Sequence, residues 1–309
     1  MAREGGIHVS TERFLSLDCE TDLTGFLQRV SERIGSRLES VSALAGVEDA
    51  GCLQGGKMLR SRLAGRLMLS GCGGAEPELV ERSAAAVEMV HTASLCHDDV
   101  IDSAVLRRSA PTLWQRTSSS GAVLVGDILL CEAMKLVIET QNHPLLTEFI
   151  DEVARVCLTE ARQELVYRGK QVDIETCLEL AEGKTGALFA FAASAAAKTG
   201  TEESAAFARA GLRVGTAYQL ADDLMDVVGD EAEVGKTLGT DHQRQKFTLP
   251  QMKSGGLSIA VGHVRRLCSE AVEVVRPWPA AVSAIEDYLA GDLGPVLELV
   301  EQSLGNQAK

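Results

Sequence analysis

Apolar residues return every three or four positions along almost the whole chain, the spacing of one face of an α-helix. Leu23, Phe26, Leu27, Val30, Ile34, Leu38 and Val41 form one such stripe; Val80, Ala84, Val87, Val90, Ala93 and Leu95 form another. Segments 123–136 and 187–197 are apolar on nearly every side, which predicts helices surrounded by other helices. Pro77, Pro111, Pro144, Pro250, Pro277, Pro279 and Pro295 fall between these segments or at their starts, where a helix tolerates proline. No run alternates β-branched with polar residues, and no Asn-Gly or Asp-Gly turn occurs, so no strands are expected. Residues 117–120 and 229–241 read as loops, and nothing resembles a linker or a fixed-period repeat. The pattern predicts an all-α fold, one large helical domain over residues 1–309, with alanines that allow helices to approach closely.

Composition narrows the partners. Lys and Arg number 30 against 44 Asp and Glu, a net charge of −14. Nucleic-acid binding starts from an electropositive face, so it is not expected, and neither is attachment to an anionic membrane by charge alone. The longest small-apolar tract is interrupted by Ser194 and stopped by Lys198, short of the ~20 apolar residues a transmembrane helix needs. The first residues carry no hydrophobic signal core; a cytoplasmic location is the expectation. Cys19, Cys52, Cys72, Cys96, Cys131, Cys157, Cys177 and Cys268 are scattered without a CxxC pair, which reads as buried, reduced thiols.

Candidate chemistry lies in two acidic clusters of identical spacing, Asp98-Asp99-Val100-Ile101-Asp102 and Asp222-Asp223-Leu224-Met225-Asp226. Residues four apart share a helix face with Cβ atoms ~5–6 Å apart, so Asp98 pairs with Asp102 and Asp222 with Asp226. Such pairs repel unless solvated or bridged by a cation. Leu95, Cys96 and Leu220 precede the clusters and apolar residues interrupt them, which argues against mere solvation. Hard oxygen ligands suit Mg²⁺, which keeps waters and completes its shell with substrate phosphate oxygens. Cations that could hold a diphosphate surround the clusters: Lys57 and Arg60 after a glycine pair, Arg107 and Arg108, Lys184 beside Thr185, Lys236 and Lys246. A P-loop is excluded at Gly235-Lys236-Thr237, because Gly229 lies one residue too far upstream and Asp230, Glu231 and Glu233 would repel phosphate. It is excluded at Gly183-Lys184-Thr185 too, where Leu178 holds the required glycine position. His91 and His97 stand near the first cluster with no Ser-His-Asp arrangement in view.

The blocks GGKMLR (55–60), HTASLCHDDVIDSAVLRR (91–108), AVLVGDILL (122–130), GKTGALF (183–189), YQLADDLMDVVGD (218–230) and EVGKTLGTDHQRQKFTLP (233–250) resemble those of the trans-isoprenyl diphosphate synthases, the polyprenyl synthetase family, in the family's order. The motifs are closest to its medium- and long-chain members. The resemblance implies a bundle around a deep central apolar cavity, usually in a homodimer. It implies Mg²⁺ on Asp98, Asp102, Asp222 and Asp226, with Asp99 and Asp223 in support. It also implies an allylic diphosphate on Arg107, Lys184, Thr185, Gln219, Lys236 and Lys246, and isopentenyl diphosphate on Lys57, Arg60, His91 and Arg108. The activity implied is condensation of isopentenyl diphosphate with the allylic diphosphate into a longer polyprenyl diphosphate. Ala93 and Ser94, one turn below the metal site, stand where a bulky aromatic shortens the product. Met58 takes the place of a family Arg and Ser61 that of a Pro, Ser109 replaces a Gly, and residues 163–167 depart from a Gly-Glu-x-x-Gln block.

Two other readings share part of this signature. A class I terpene synthase also ionises a diphosphate at DDxxD, but needs neither the set Lys57, Arg60 and Arg108 nor a second DDxxD. A non-catalytic partner subunit of a prenyl synthase would be expected to have eroded aspartates, and both clusters are intact.

Overall fold

Pro77, Pro144 and Pro279 each stand in the first turn of a helix in the computed structural model of the chain. It describes residues 17–45, 53, 56–107, 110–228, 246–252, 255–295 and 298. Arg108, Ser109, Lys236 and the loop expected over 229–241 lie outside them. The long helices are α1 (Leu17–Ala45), α2 (Leu59–Leu69), α3 (Pro77–Ile101), α5 (Ser119–Ile138), α6 (His143–Arg162) and α9 (Glu202–Val228). Short α4 (Leu113–Arg116), α7 (Ile174–Ala181) and α8 (Ala187–Ser194) lie between them, and α10 (Gly256–Val274) and α11 (Pro279–Tyr288) follow. Side-chain caps start several: Asn142 Oδ1 accepts from Leu145 N, Asp173 Oδ1 from Thr176 N and Ser118 Oγ from Gly121 N. The Ser118 cap ends the expected 117–120 loop early, since helix begins at Ser119.

Burial follows the stripes. Leu23, Phe26, Val30, Leu38 and Val41 of α1 are buried, as are Val80, Ala84, Val87, Val90 and Ala93 of α3. Every residue from 187 to 197 is buried, so α8 is the expected central helix. It lies hard against α9 because glycines remove the obstacles: a Cβ on Gly211 would sit 2.3 Å from the Phe189 carbonyl oxygen, and one on Gly215 2.8 Å from Phe189 Cβ. Single π turns, which recur at functional sites, extend α6 (Gln163–Tyr167), join α7 to α8 (Glu182–Gly186) and follow α11 (Leu289–Leu293).

Three expectations need correction. Segment 123–136 is not enclosed: Leu124 is 61% exposed, and Val123 and Cys131 are exposed with it, because one chain supplies no helix over that side. Strands do occur, as an antiparallel pair of Leu106–Arg107 with Ala110–Pro111, too short to leave an alternating pattern. Cysteines are only partly buried: Cys96 and Cys177 are inside, whereas Cys131 and Cys157 are exposed. Phe149, Phe189, Phe191 and Phe207 are fully buried among the interior alanines and fill the core. Among the described residues no helix is long and apolar enough to cross a membrane.

Candidate active site

Both acidic clusters end long helices. Asp98 and Asp99 lie in the last turn of α3 and Asp102 is its C-cap; Asp222, Asp223 and Asp226 lie in the last two turns of α9. A helix C-terminus carries partial negative charge, so carboxylates placed there call for cations.

At the first cluster two lysines answer. The Nζ of Lys246 lies 3.3 Å from Asp102 Oδ1, 3.3 Å from Glu160 Oε1 and 3.2 Å from Glu164 Oε1, with its side chain only 7% exposed. Lys184 Nζ lies 2.6 Å from Glu160 Oε2 and 4.0 Å from Asp98 Oδ2. Burial alone would strip the charge from both ammonium groups, but Asp98, Asp102 and Glu160 outweigh it and hold both above the usual lysine range. Burial pushes the Asp98 carboxyl up, against the pull of Lys184. Burial would also push Glu160 up, but Lys184 and Lys246 hold it below the ordinary range.

The second cluster is joined to the first through adjacent residues. Thr185 donates to Gln219 Oε1 at 2.5 Å, and Gln219 donates to Asp223 Oδ1 at 2.8 Å. Lys184 therefore faces Asp98 while Thr185 reaches the helix that carries Asp222 and Asp226. The π turn bearing this pair is wedged between α6 and α9 by two glycines. A Cβ on Gly183 would fall 2.1 Å from Thr159 Oγ1, and one on Gly186 2.9 Å from Thr216 Oγ1.

Asp99 is buried on another face of α3, where Arg107 of the hairpin grips it: Nη2 donates to Oδ1 at 2.7 Å and Nε to both oxygens at 2.9 and 3.1 Å. Asp99 and Asp223 thus each have a side-chain partner, Arg107 and Gln219, apart from the Asp98–Asp102 face. Carboxylates are the hard oxygen donors a divalent cation takes, and a cation, the Lys246 ammonium, already stands where Asp102, Glu160 and Glu164 meet, although among the described residues no three acidic, His or Cys side chains are grouped as a metal site. Asp98, Asp102, Asp222 and Asp226 are the residues that could hold one.

The remaining predicted residues stand elsewhere. Met58 adopts a left-handed conformation (φ 47°) and α2 begins only at Leu59, so Lys57 is exposed and not helical. Arg60 is buried, its guanidinium 5.2 Å from the Phe189 ring centre. Burial pulls its pKa down, against the opposing charge of Glu88. Lys57 thus precedes the helix on whose inner side Arg60 stands. His91 lies two turns before Asp98 on α3 and is half-buried. Ala93 is fully buried, and Ser94 Oγ donates to the His91 carbonyl. Sequence reasoning missed Glu160 and Glu164, although they repeat the four-residue spacing of the aspartates.

The sequence model of the polyprenyl synthetase family matches residues 42–258. The chain belongs to that family. A short chain isoprenyl diphosphate synthase of Methanothermobacter thermautotrophicus is 32% identical over 243 residues, covering 73% of this chain and 74% of that protein. An all-trans-nonaprenyl-diphosphate synthase of Rhodobacter capsulatus is 32% identical over 232 residues, 74% of this chain and 70% of that one. Among solved structures, a polyprenyl synthase from Caulobacter crescentus, complexed with calcium and isoprenyl diphosphate, superposes with a TM-score of 0.74 at 27% identity. It covers 87% of this chain and 94% of its own. Geranyltranstransferase of Thermotoga maritima gives 0.72 at 26% identity, covering 91% and 99%. This polyprenyl synthetase is accordingly a prenyl-transferring enzyme with the all-α isoprenoid synthase fold.

Arg107 has a structural duty besides any substrate contact. Replacing it with Met leaves buried Asp99 without its counter-ion. Breaking a buried pair costs ~3–5 kcal/mol, and solvent at the half-buried arginine screens part of that. Arg107→Met is expected to lose about 2–3 kcal/mol of unfolding free energy in urea, and Arg107→Lys to recover only part, lacking the planar fork. Unchanged midpoints would show that Asp99 finds another donor.

Proposed function

We propose that the protein condenses isopentenyl diphosphate with an allylic diphosphate, giving a longer trans-polyprenyl diphosphate in a Mg²⁺-dependent reaction. The observation that carries this is the Lys184–Thr185 pair, which ties the first aspartate cluster to the second. In this reading Lys184, Lys246, Thr185 and Gln219 take the allylic diphosphate, with Arg107 and with Lys236 of the segment outside the described residues. The ammonium groups hold positive charge where negative charge grows on the departing diphosphate. Mg²⁺ on Asp98, Asp102, Asp222 and Asp226 would supply further charge stabilisation to the same oxygens. Lys57, Arg60, His91 and Arg108 take isopentenyl diphosphate, and its double bond attacks the allylic cation left when the C–O bond ionises. The proton lost passes to the released diphosphate. Buried apolar side chains keep water from the cationic carbon.

Incubation with farnesyl and isopentenyl diphosphates and Mg²⁺ is expected to yield elongated prenyl diphosphates. Cyclised hydrocarbon, or no turnover without a second protein, would reject the reading in favour of a terpene synthase or a partner subunit. Asp98→Ala and Asp222→Ala are expected to lose at least 100-fold in kcat, the scale of removing one preorganised stabilising group, with helical circular dichroism unchanged. Normal turnover in either would overturn the metal assignment.

Ala93 bears on chain length. It lies just over one turn before Asp98, on the path a prenyl tail would take along α3, and it is the smallest chiral side chain. Ala93→Phe is expected to shorten the longest product resolved by thin-layer chromatography; an unchanged distribution would mean that the tail takes another path.

A homodimer completes the reading. α5 and α6, successive helices in contact, carry exposed apolar side chains: Leu124 and Cys131 on α5, Ile150 (44% exposed) and Leu158 (65% exposed) on α6. Exposed apolar surface of this kind marks a contact site, and a second copy of the same helix pair is its occupant here. Leu124→Asp with Leu158→Asp is expected to halve the mass measured by sedimentation equilibrium; a wild-type monomer would refute the dimer.

A further inference from the structure

Glu160 stands at the centre of the site without any role in the residue set above. Its two carboxylate oxygens are divided between two lysines, Oε2 accepting from Lys184 Nζ at 2.6 Å and Oε1 from Lys246 Nζ at 3.3 Å. Without it, each ammonium has an aspartate to fall onto, since Asp98 lies 4.0 Å from Lys184 and Asp102 3.3 Å from Lys246. Glu164 supports the second lysine from the next turn, and Arg168 donates to its other oxygen at 2.8 Å.

We propose that Glu160 is a positioning residue for the allylic diphosphate: one oxygen holds Lys184 off Asp98 while the other shares Lys246 with Asp102, so that the two ammonium groups stand side by side and are aimed together at one diphosphate. This rests on the proposed function and extends it to a residue that touches neither metal nor substrate. The sequence places it on the right helix for the task. α6 ends at Arg162, and the close contact of Gly183 with Thr159 sets the lysine-bearing π turn one residue from Glu160. A carboxylate there offers each ammonium group an acceptor oxygen of its own and fixes its direction, whereas a neutral amide offers one acceptor and no charge.

The test is Mg²⁺-dependent binding of inorganic diphosphate to the full chain by isothermal titration calorimetry, with KM for both substrates measured alongside. Glu160→Gln is expected to weaken diphosphate binding and raise the allylic KM about tenfold, the equivalent of one charged hydrogen bond, with the isopentenyl KM unchanged. In a Lys184→Met background the same substitution is expected to cost clearly less, because the group through which it acts is already gone. A loss of equal size in both backgrounds would show that Glu160 acts on its own, as a metal ligand would, and unchanged binding would show that it does not act at all; either overturns the inference. Should Glu160→Gln fail to fold, Glu160→Asp keeps the charge and withdraws it by one methylene, with a several-fold rise in allylic KM expected and an unaltered KM overturning the inference. A wild-type chain that neither binds diphosphate nor elongates would defeat the proposed function itself, and this inference with it, before any variant is compared.

Discussion

Two like-charged helix ends, linked through the Lys184–Thr185 turn, set the terms for everything around them. The carboxylates of Asp98 and Asp102 share one face of α3 at its C-terminus, and those of Asp222 and Asp226 share one face of α9. At ~5–6 Å and an effective dielectric of about 20, each such pair costs about 3 kcal/mol in repulsion, and the partial negative charge of the helix ends adds to it. No purely structural benefit offsets this. A chain that keeps both pairs must supply cations, and at α3 it does so with Lys184 and Lys246. The contact of Lys246 with Asp102 at 3.3 Å is worth about 5 kcal/mol on the same scale before the lysine's dehydration is charged against it.

Bringing the two ends together is a problem of close packing, and glycine and the π turn solve it. α8 can lie against α9 only because Gly211 and Gly215 leave room for Phe189. That contact carries the preceding π turn to the C-terminal half of α9, with Gly183 and Gly186 fitting between Thr159 and Thr216. Lys184 and Thr185, flanked by those glycines, then serve opposite neighbours. Larger residues at either glycine would push the turn off one helix or the other, and the link between the clusters would open. Core packing and site geometry are one feature in this protein.

The parts legible in the sequence are those that local spacing determines. Identical DDxxD spacing announced two cation-seeking faces, and an unbroken run of small apolar residues announced the buried α8. Glu160 and Glu164 repeat the same four-residue interval, yet they sit in a helix with the polar and apolar alternation of an ordinary amphipathic segment. Only the arrival of Lys184 and Lys246 from distant segments gives them a purpose. Arg60 stands three residues after Lys57, a spacing that says nothing of the left-handed Met58, which starts the helix at Leu59 and leaves Arg60 inward over Phe189. Segment 123–136 was read as enclosed from its composition, and composition cannot say whether the covering helix belongs to the same chain.

The departures from the family pattern in α2 belong to one arrangement. Ser61, standing where the pattern has Pro, donates both its backbone N–H and its hydroxyl to Glu88 Oε1, at 3.2 and 3.0 Å. Proline has no N–H to give. Glu88 is also the carboxylate whose charge opposes the desolvation of Arg60, so Ser61 orients the counter-ion of a buried guanidinium on the neighbouring residue. With Met58 replacing a family arginine, one positive charge is missing beside Arg60, and Arg60 packs instead on Phe189, with the charge-sensitive hydroxyls of Tyr218 and Tyr288 close by. The first turn of α2 thus lacks one cation and keeps the buried Arg60, beside a glutamate oriented by a serine contact that the more usual residue could not make in full.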